Sequence, residues 1–447
     1  MSLSASKRGW LAASGVFWIM GTSTIAQTTN NAPPQVEWNL AEIYESLDVW
    51  QREKNQLDGR VAGLTSFKGR LGESAETLAD ALDAISQAEK DVVQLYVYAF
   101  LEADEDRRVS DAQERRGEAA LLLAQLEQAV SFVSPELLSV GSSVIEQYLN
   151  AEPRLEKHAF NVRNTLRQEP HTLSDEAESI IAGTSSMRQG PERIFAMLSS
   201  SDMVFPTVTL STGENVRLDQ AAYGKHRASQ NRSDRKLVFD TYWQAWKSYE
   251  STLGQTLDTH VKAHVFEATA RKYDSALDAA LAGPNIPTDV YRKLIDAAHR
   301  HLPSLHRYFR LRQRMLGLED LHYYDIYPTL VASSRSFDLD EAKTLSLASA
   351  APLGDDYISM LQTGFAGDWM HVYPQQGKAP GAYMYGAIYD VHPYLLLNFN
   401  GEYEDVSTFA HEWGHAIHTM LSKRANPYET SSYATFTAEI ASTTNEV

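Results

Sequence analysis

Residues 405–422 read D-V-S-T-F-A-H-E-W-G-H-A-I-H-T-M-L-S, and the rest of the chain is organised around them. Val406, Phe409, Ala410, Trp413, Ala416, Ile417, Met420 and Leu421 recur at i, i+3, i+4 and i+7, the period of an amphipathic helix. Asp405 can cap its N-terminus, Lys423 and Arg424 suit the negative end of its dipole, and Asn426-Pro427 stops it. At about 100° per residue, His411 and His415 share a face roughly opposite the apolar stripe, with Glu412 to one side. The spacing predicts a helix whose apolar face takes the core while its histidines look into a cleft or solvent.

Two histidines one turn apart can place ring nitrogens about 2.0–2.1 Å from one zinc ion, and the Glu after the first can reach a water held there. This is the H-E-x-x-H pattern; the bland alternative is a pair of solvated histidines on an exposed helix face. A catalytic zinc also needs a third protein ligand. His418 shares the face, but seven residues at 1.5 Å rise carry it about 10.5 Å along the axis from His411, so it reads as a neighbour of the site. No H-x-x-G-x-x-H continuation is present, which excludes the metzincin pattern. Beyond Pro427, residues 436–442 (F-T-A-E-I-A-S) resume helical character, and a second helix packed on the first can present Glu439 to the metal. Glu429, in a polar loop, and Glu446, next to the end of the sequence, are the other candidates, and Glu439 is preferred.

With 447 residues and 43% hydrophobic content, the chain is globular and long enough for a large core or for two to three packed subdomains. Its 40 Lys and Arg stand against 58 Asp and Glu, a net charge of −18, without a basic block that could neutralise a phosphate backbone, so no nucleic-acid partner is expected. Zero cysteines remove disulfides and thiolate metal sites. Residues 1–26 have the pattern of a secretory signal. Lys7 and Arg8 precede a mostly apolar run, and Thr24-Ile25-Ala26 offers a cleavage site before Gln27. The expectation is an exported protein, periplasmic or secreted, with no stable membrane association after cleavage; the competing reading, an uncleaved N-terminal anchor, is disfavoured by the short, interrupted apolar run.

A Pro-containing linker, residues 27–36, leads into successive helical patterns up to about residue 164, with a break expected at Ser134-Pro135. Residues 205–218 alternate, turn at Gly213 and alternate again, a β-hairpin. Helical patterns resume over 233–272 and 289–316. In the aromatic segment that follows, His322 and Asp325 read as packing and capping groups. Residues 392–399 (H-P-Y-L-L-L-N-F) read as a strand; Pro393 at its start suits a sheet edge that could bind an extended peptide through its main chain, and the alternative is a strand that merely supports the following helix. A domain boundary near residue 200 separates an N-terminal helical domain (37–200) from a catalytic domain (201–447).

The motif H-E-W-G-H-A-I-H at 411–418, its spacing to T-A-E-I-A-S at 437–442, and H-P-Y-L-L-L-N-F-N-G at 392–401 resemble the oligoendopeptidase F branch of the thimet oligopeptidase family. E-W-N-L-A-E-I-Y at 37–44, H-T-L-S at 171–174 and L-G-L-E-D-L-H-Y-Y-D-I-Y at 316–327 extend the likeness over nearly all of the chain after the signal. The resemblance implies a mainly α fold, a multi-helix oligopeptidase architecture with a zincin-type helix and a small β-sheet near the active site. It implies one Zn2+ held by His411, His415 and Glu439, Glu412 as general base, and short unstructured peptides as substrates. It also implies that the family continues well past the third ligand, into a part supplying a His and Tyr residues that polarise the scissile carbonyl. This sequence ends 447 − 439 = 8 residues after Glu439 and therefore reads as C-terminally truncated. Two functional readings follow, a zinc metalloendopeptidase and a catalytically impaired zinc- or peptide-binding remnant. Tyr383, Tyr385, Tyr433 and His392 are the remaining donor groups that could lie near the site.

Overall fold

The alanine- and leucine-rich run after residue 75 keeps one apolar face along its whole length and folds as a single helix, Ala75–Glu105 (α2). It lies between Leu47–Gly63 (α1) and Ser110–Ala129 (α3), with Trp50, Val92, Leu95, Leu122 and Leu126 packed among the three. Ser46 and Ser74 start α1 and α2 by accepting from the backbone N–H of Val49 and Thr77. The structure is a computed structural model that describes residues 36–447 apart from 175–176, 178–179, 182–183, 189 and 332–334. The expected signal, residues 1–26, and the linker up to residue 35 lie outside the described residues. The break expected at Ser134-Pro135 comes slightly earlier. Pro135 sits inside the first turn of Val133–Val140 (α4), where its missing N–H would have had no helical partner. Ser142–Ala151 (α5) and Ala159–Arg167 (α6) follow.

The chain divides into two compact units: residues 36–169 together with 335–447, and residues 170–334. The boundary expected near residue 200 falls inside the second unit. The reason for the discontinuous first unit is main-chain pairing between its distant segments. Val36 C=O accepts from Val372 N–H at 2.9 Å, and Asn39 N–H donates to Asp368 C=O at 2.8 Å.

In the second unit, Thr207–Thr209 (β1) and Asn215–Arg217 (β2) form the expected antiparallel hairpin, with Val208 opposite Val216. Arg232–Lys247 (α7), Glu250–Ala270 (α8) and Thr288–Met315 (α10) are its long helices, with the short Ala276–Ala282 (α9) before the last. Asp325 is fully buried, and takes Arg232 Nε at 3.1 Å, Arg232 Nη2 at 2.9 Å and Arg235 Nη2 at 2.9 Å. The His322 ring stacks on Tyr324, so both residues act in packing and capping.

The rest of the first unit contains Leu339–Ala350 (α11), Asp355–Ala366 (α12) and a three-stranded sheet. Its strands are Met370–His371 (β3), Tyr383–Tyr385 (β4) and Tyr394–Leu396 (β5), in the order β3-β5-β4, with β3 parallel and β4 antiparallel to β5. β5 is therefore the central strand and not the edge that Pro393 suggested; the proline lies just before the strand, where it removes no ladder bond. Alternate residues of this stretch enter different cores. Tyr394 and Leu396 join the α1–α3 core, while Leu395 and Leu397 join a second core with Phe409, Trp413 and Ile417. A strand buried on both faces reads as a continuous apolar run. Among the described residues, no helix is long and apolar enough to cross a membrane.

The Asp325 cluster yields a stability prediction. Burial pushes its carboxyl up, but Arg232, the His322 N–H and Arg235 outweigh that and hold it down at about 2. With an unfolded value of about 3.9, its stabilisation is present above about pH 4 and is lost as pH falls through the folded value. Asp325→Ala, which leaves Arg235 buried without its partner, is expected to cost about 3–5 kcal/mol at pH 7. Denaturant unfolding at a series of pH values should show the gap from wild type narrowing toward pH 2; a gap independent of pH would contradict this account.

Candidate metal centre

Two helices build the site. Tyr403–Ala425 (α13) buries Val406, Phe409, Ala410, Trp413, Ala416 and Ile417, the stripe expected from the sequence. Trp413 is fully buried, edge-on to Phe365 at 4.9 Å between ring centroids and near-parallel to Trp369 at 6.0 Å. The helix begins earlier than expected, because Glu402 is its N-cap. Asp405 instead reaches back from the third helical position to accept from the N–H groups of Asn400 and Glu402, both at 2.9 Å. At the other end, Asn426 ends the helix as expected, and half-buried Lys423 donates to the carbonyls of Ile388 and Val391.

Thr435–Glu446 (α14) packs along α13, and Gly414 is what permits the approach. A Cβ there would lie 2.8 Å from Ser442 Cα and 2.9 Å from the Ala441 carbonyl oxygen, both backbone atoms that cannot swing aside. Asn445 closes the contact by donating to the Ala410 carbonyl at 2.9 Å while accepting from the Tyr357 hydroxyl at 2.8 Å.

This packing brings together three of the residues singled out in the sequence. His411 Nε2 and His415 Nε2 are 3.1 Å apart, and Glu439 Oε2 lies 3.4 Å from the first and 3.5 Å from the second. Ligands about 2.0–2.1 Å from a tetrahedral ion are about 3.3 Å from one another, so the three atoms fit one face of a zinc-sized coordination sphere. Among the described residues, His411, His415 and Glu439 are the one such group of three. Burial, followed by the neighbouring His411, lowers His415 to about 4 and keeps its ring neutral, the form with a lone pair to give.

Glu412 is 7% exposed beside these donors. Burial pushes its carboxyl up to about 7; His411 opposes this, Glu439 adds to it, and the Met384 N–H from β4 donates to the carboxylate and opposes it. Glu439 is oriented by Ser442 Oγ at 2.9 Å. Glu446 is not a fourth member of the converging group. It accepts from His411 Nδ1 at 2.5 Å and from Ser407 Oγ at 3.2 Å. A carboxylate can only accept, so Nδ1 is the donor in this bond, and Nε2 is the nitrogen that faces Glu439 and His415. The sequence carries only part of this role: Glu439, Ser442 and Glu446, at i, i+3 and i+7, share one face of α14, but nothing in the pattern says that His411 Nδ1 meets it.

The other candidates lie elsewhere. Glu429 accepts from Ser86 Oγ at 2.6 Å and pairs with Lys157, tying the segment after α13 to the N-terminal helices. The His418 ring stacks on Tyr433 at 3.8 Å, and the Tyr433 hydroxyl shares a hydrogen with Thr419 at 2.7 Å. Tyr383 donates to Asp104 at 3.1 Å, Tyr385 packs on Phe100, and His392 lies on Trp369 with its Nε2 2.9 Å from Glu42. Of the four donor groups named, Tyr433 stacks on His418 and interacts electrostatically with Glu439.

Comparison with known proteins agrees with this arrangement. Residues 226–447 match the family model for peptidase family M3, and residues 136–205 match the model described as oligopeptidase F. Group B oligopeptidase PepB of Streptococcus agalactiae is 33% identical over 410 residues, covering 92% of this chain and 68% of that protein. The chain belongs to peptidase family M3, in its oligopeptidase F branch. M3 is a metallopeptidase family. Oligopeptidase PepF of Bacillus subtilis is also 33% identical over 410 residues, and this M3 chain spans 61% of that relative's length. The solved oligoendopeptidase-F from Enterococcus faecium superposes with a TM-score of 0.61 at 29% identity, over 90% of this chain and 66% of that one.

Two variants test how the M3 centre is assembled. Gly414→Ala should push α14 outward, cost about 1–3 kcal/mol and weaken metal retention, since Glu439 rides on that helix. Glu446→Gln should leave the fold intact and lower metal affinity by about 10–100-fold. Competition against a graded chelator measures both; unchanged affinity in either variant would sink its assignment.

Proposed function

We propose that this chain is a zinc-dependent metalloendopeptidase that hydrolyses internal bonds of short, unstructured peptides, with one Zn2+ per chain held by His411, His415 and Glu439. One observation carries the reading: three metal-ligand atoms within 3.1–3.5 Å of each other, beside a buried carboxylate that is not needed to hold the ion. Zinc, when bound, supplies a Lewis acid that acidifies water and polarises a carbonyl. The protein's own part falls to Glu412, which takes the proton of the attacking water and returns it to the leaving amine. The Met384 N–H steadies that carboxylate from β4. Because β4 ends the sheet, an extended peptide laid along it by main-chain pairing would run past Glu412. Glu446 holds the His411 ring, and Ser442 the Glu439 carboxylate.

Export belongs to the same proposal and is carried by residues 1–26 alone. Mature protein beginning at Gln27 would support it, and retained Met1 would overturn it.

The direct test is Glu412→Gln assayed on a short internally quenched peptide, alongside zinc content. Hydrolysis should fall by about 10² to 10⁴-fold while zinc remains at one per chain. Full activity in the variant would refute the role of Glu412. Stoichiometric zinc with no cleavage by the wild-type chain would favour a zinc- or peptide-binding remnant.

A further inference from the structure

A second pair of histidines repeats the geometry of the first. His260 and His264 lie one turn apart on α8, in the unit that does not contain the centre described above. Their Nε2 atoms are 3.2 Å apart, against 3.1 Å for His411 and His415. Their ring centroids are 4.6 Å apart at 84°, against 4.8 Å at 83°. Both pairs thus bring two ring nitrogens of one helix within hydrogen-bonding distance of each other. His264 is exposed and His260 half-buried, so solvent reaches the pair. The nearest cation in sequence, Lys262, lies about 200° around the helix from each histidine and is engaged with Asp258 at 2.6 Å, leaving the histidine face clear of it.

We infer that His260 and His264 form a second, surface chelating site for a borderline divalent transition ion, Zn2+, Ni2+ or Cu2+. Neutral imidazole is a ligand for all three, and the order of affinity for a nitrogen site favours Cu2+ over Ni2+ and Zn2+. Two nitrogens near 3.2 Å suit adjacent positions on one ion. Among the described residues, no carboxylate or further histidine joins the pair to make a group of three, so water fills the remaining positions and the ion exchanges readily. A practical consequence follows for the M3 centre. In excess metal the chain takes up more than one equivalent, and the surplus says nothing about the family site.

The test uses the full chain loaded with one equivalent of zinc and titrated with Ni2+ by calorimetry. Wild type should bind one further Ni2+. His260→Gln and His264→Gln should each lose that equivalent with an unchanged far-ultraviolet circular dichroism spectrum. A register variant, His264→Gln with Val265→His, keeps the number of histidines but breaks the one-turn spacing, and it should lose the equivalent as well. Absence of a further Ni2+ on wild type, or its persistence in the register variant or the His260→Gln/His264→Gln double variant, would overturn the assignment. None of these readouts depends on peptide hydrolysis, so they stand apart from the reading of the α13 centre.

Discussion

The close contact between α13 and α14 at Gly414 is the constraint on which the centre depends. Helices packed through ordinary side chains run 8–10 Å apart. A carboxylate of Glu length on α14 meets imidazoles on α13 within 3.5 Å because backbone there touches the position a side chain would occupy. Asn445, buried and bonded to the Ala410 carbonyl and the Tyr357 hydroxyl, fixes the rotation of α14 about its own axis. That rotation turns Glu439 and Glu446 together toward the histidine face. Glycine sets the distance, and asparagine sets the angle.

The same logic extends one layer down. α13 cannot sit on solvent-facing strands, because its stripe of Phe409, Trp413 and Ile417 needs an apolar partner. The sheet provides one face for it and offers the other to α1–α3, so β5 contributes to both cores and has no wet side. The N-terminal residues 36–39 then pair with 368–372, locking the first helices to the site-bearing sheet. Residues 36–169 and 335–447, which the sequence assigned to separate N-terminal and catalytic halves, are in the fold parts of one unit.

Much of this was legible in the sequence where local pattern decides the outcome. The α13 stripe has a clear helical period, and the meeting of His411, His415 and Glu439 was readable from motif and spacing. The hairpin at 207–217 was announced by alternation and Gly213. What failed depended on partners distant in sequence. Pro393 pointed to an edge, yet whether a strand is central is decided by which segments flank it, and those lie at 370–371 and 383–385. The capping of α13 by Glu402 was hidden because glutamate is an uncommon N-cap, and Asp405 stood where a cap was expected. The role of Glu446 required knowing that Nδ1 of His411 faces α14, which the helical wheel of α14 alone does not reveal.

The charge arrangement argues that this centre is built for a cation. Glu412, Glu439 and Glu446 bring three carboxyl groups around two imidazoles, and His411 touches two of those carboxyl groups directly. Without a positive ion, packing them costs like-charge repulsion, and burial of Glu412 worsens it. A dication at the meeting point of the two Nε2 atoms and Glu439 Oε2 offsets that repulsion at its source, so ion binding and the docking of α14 reinforce each other. The pair on α8 shows the contrast. It has the same two-nitrogen geometry and no converging carboxylate among the described residues, so nothing there needs a cation to be stable. Similar imidazole geometry therefore gives two different sites, one coupled to the packing of its helices and one set by the helix surface alone.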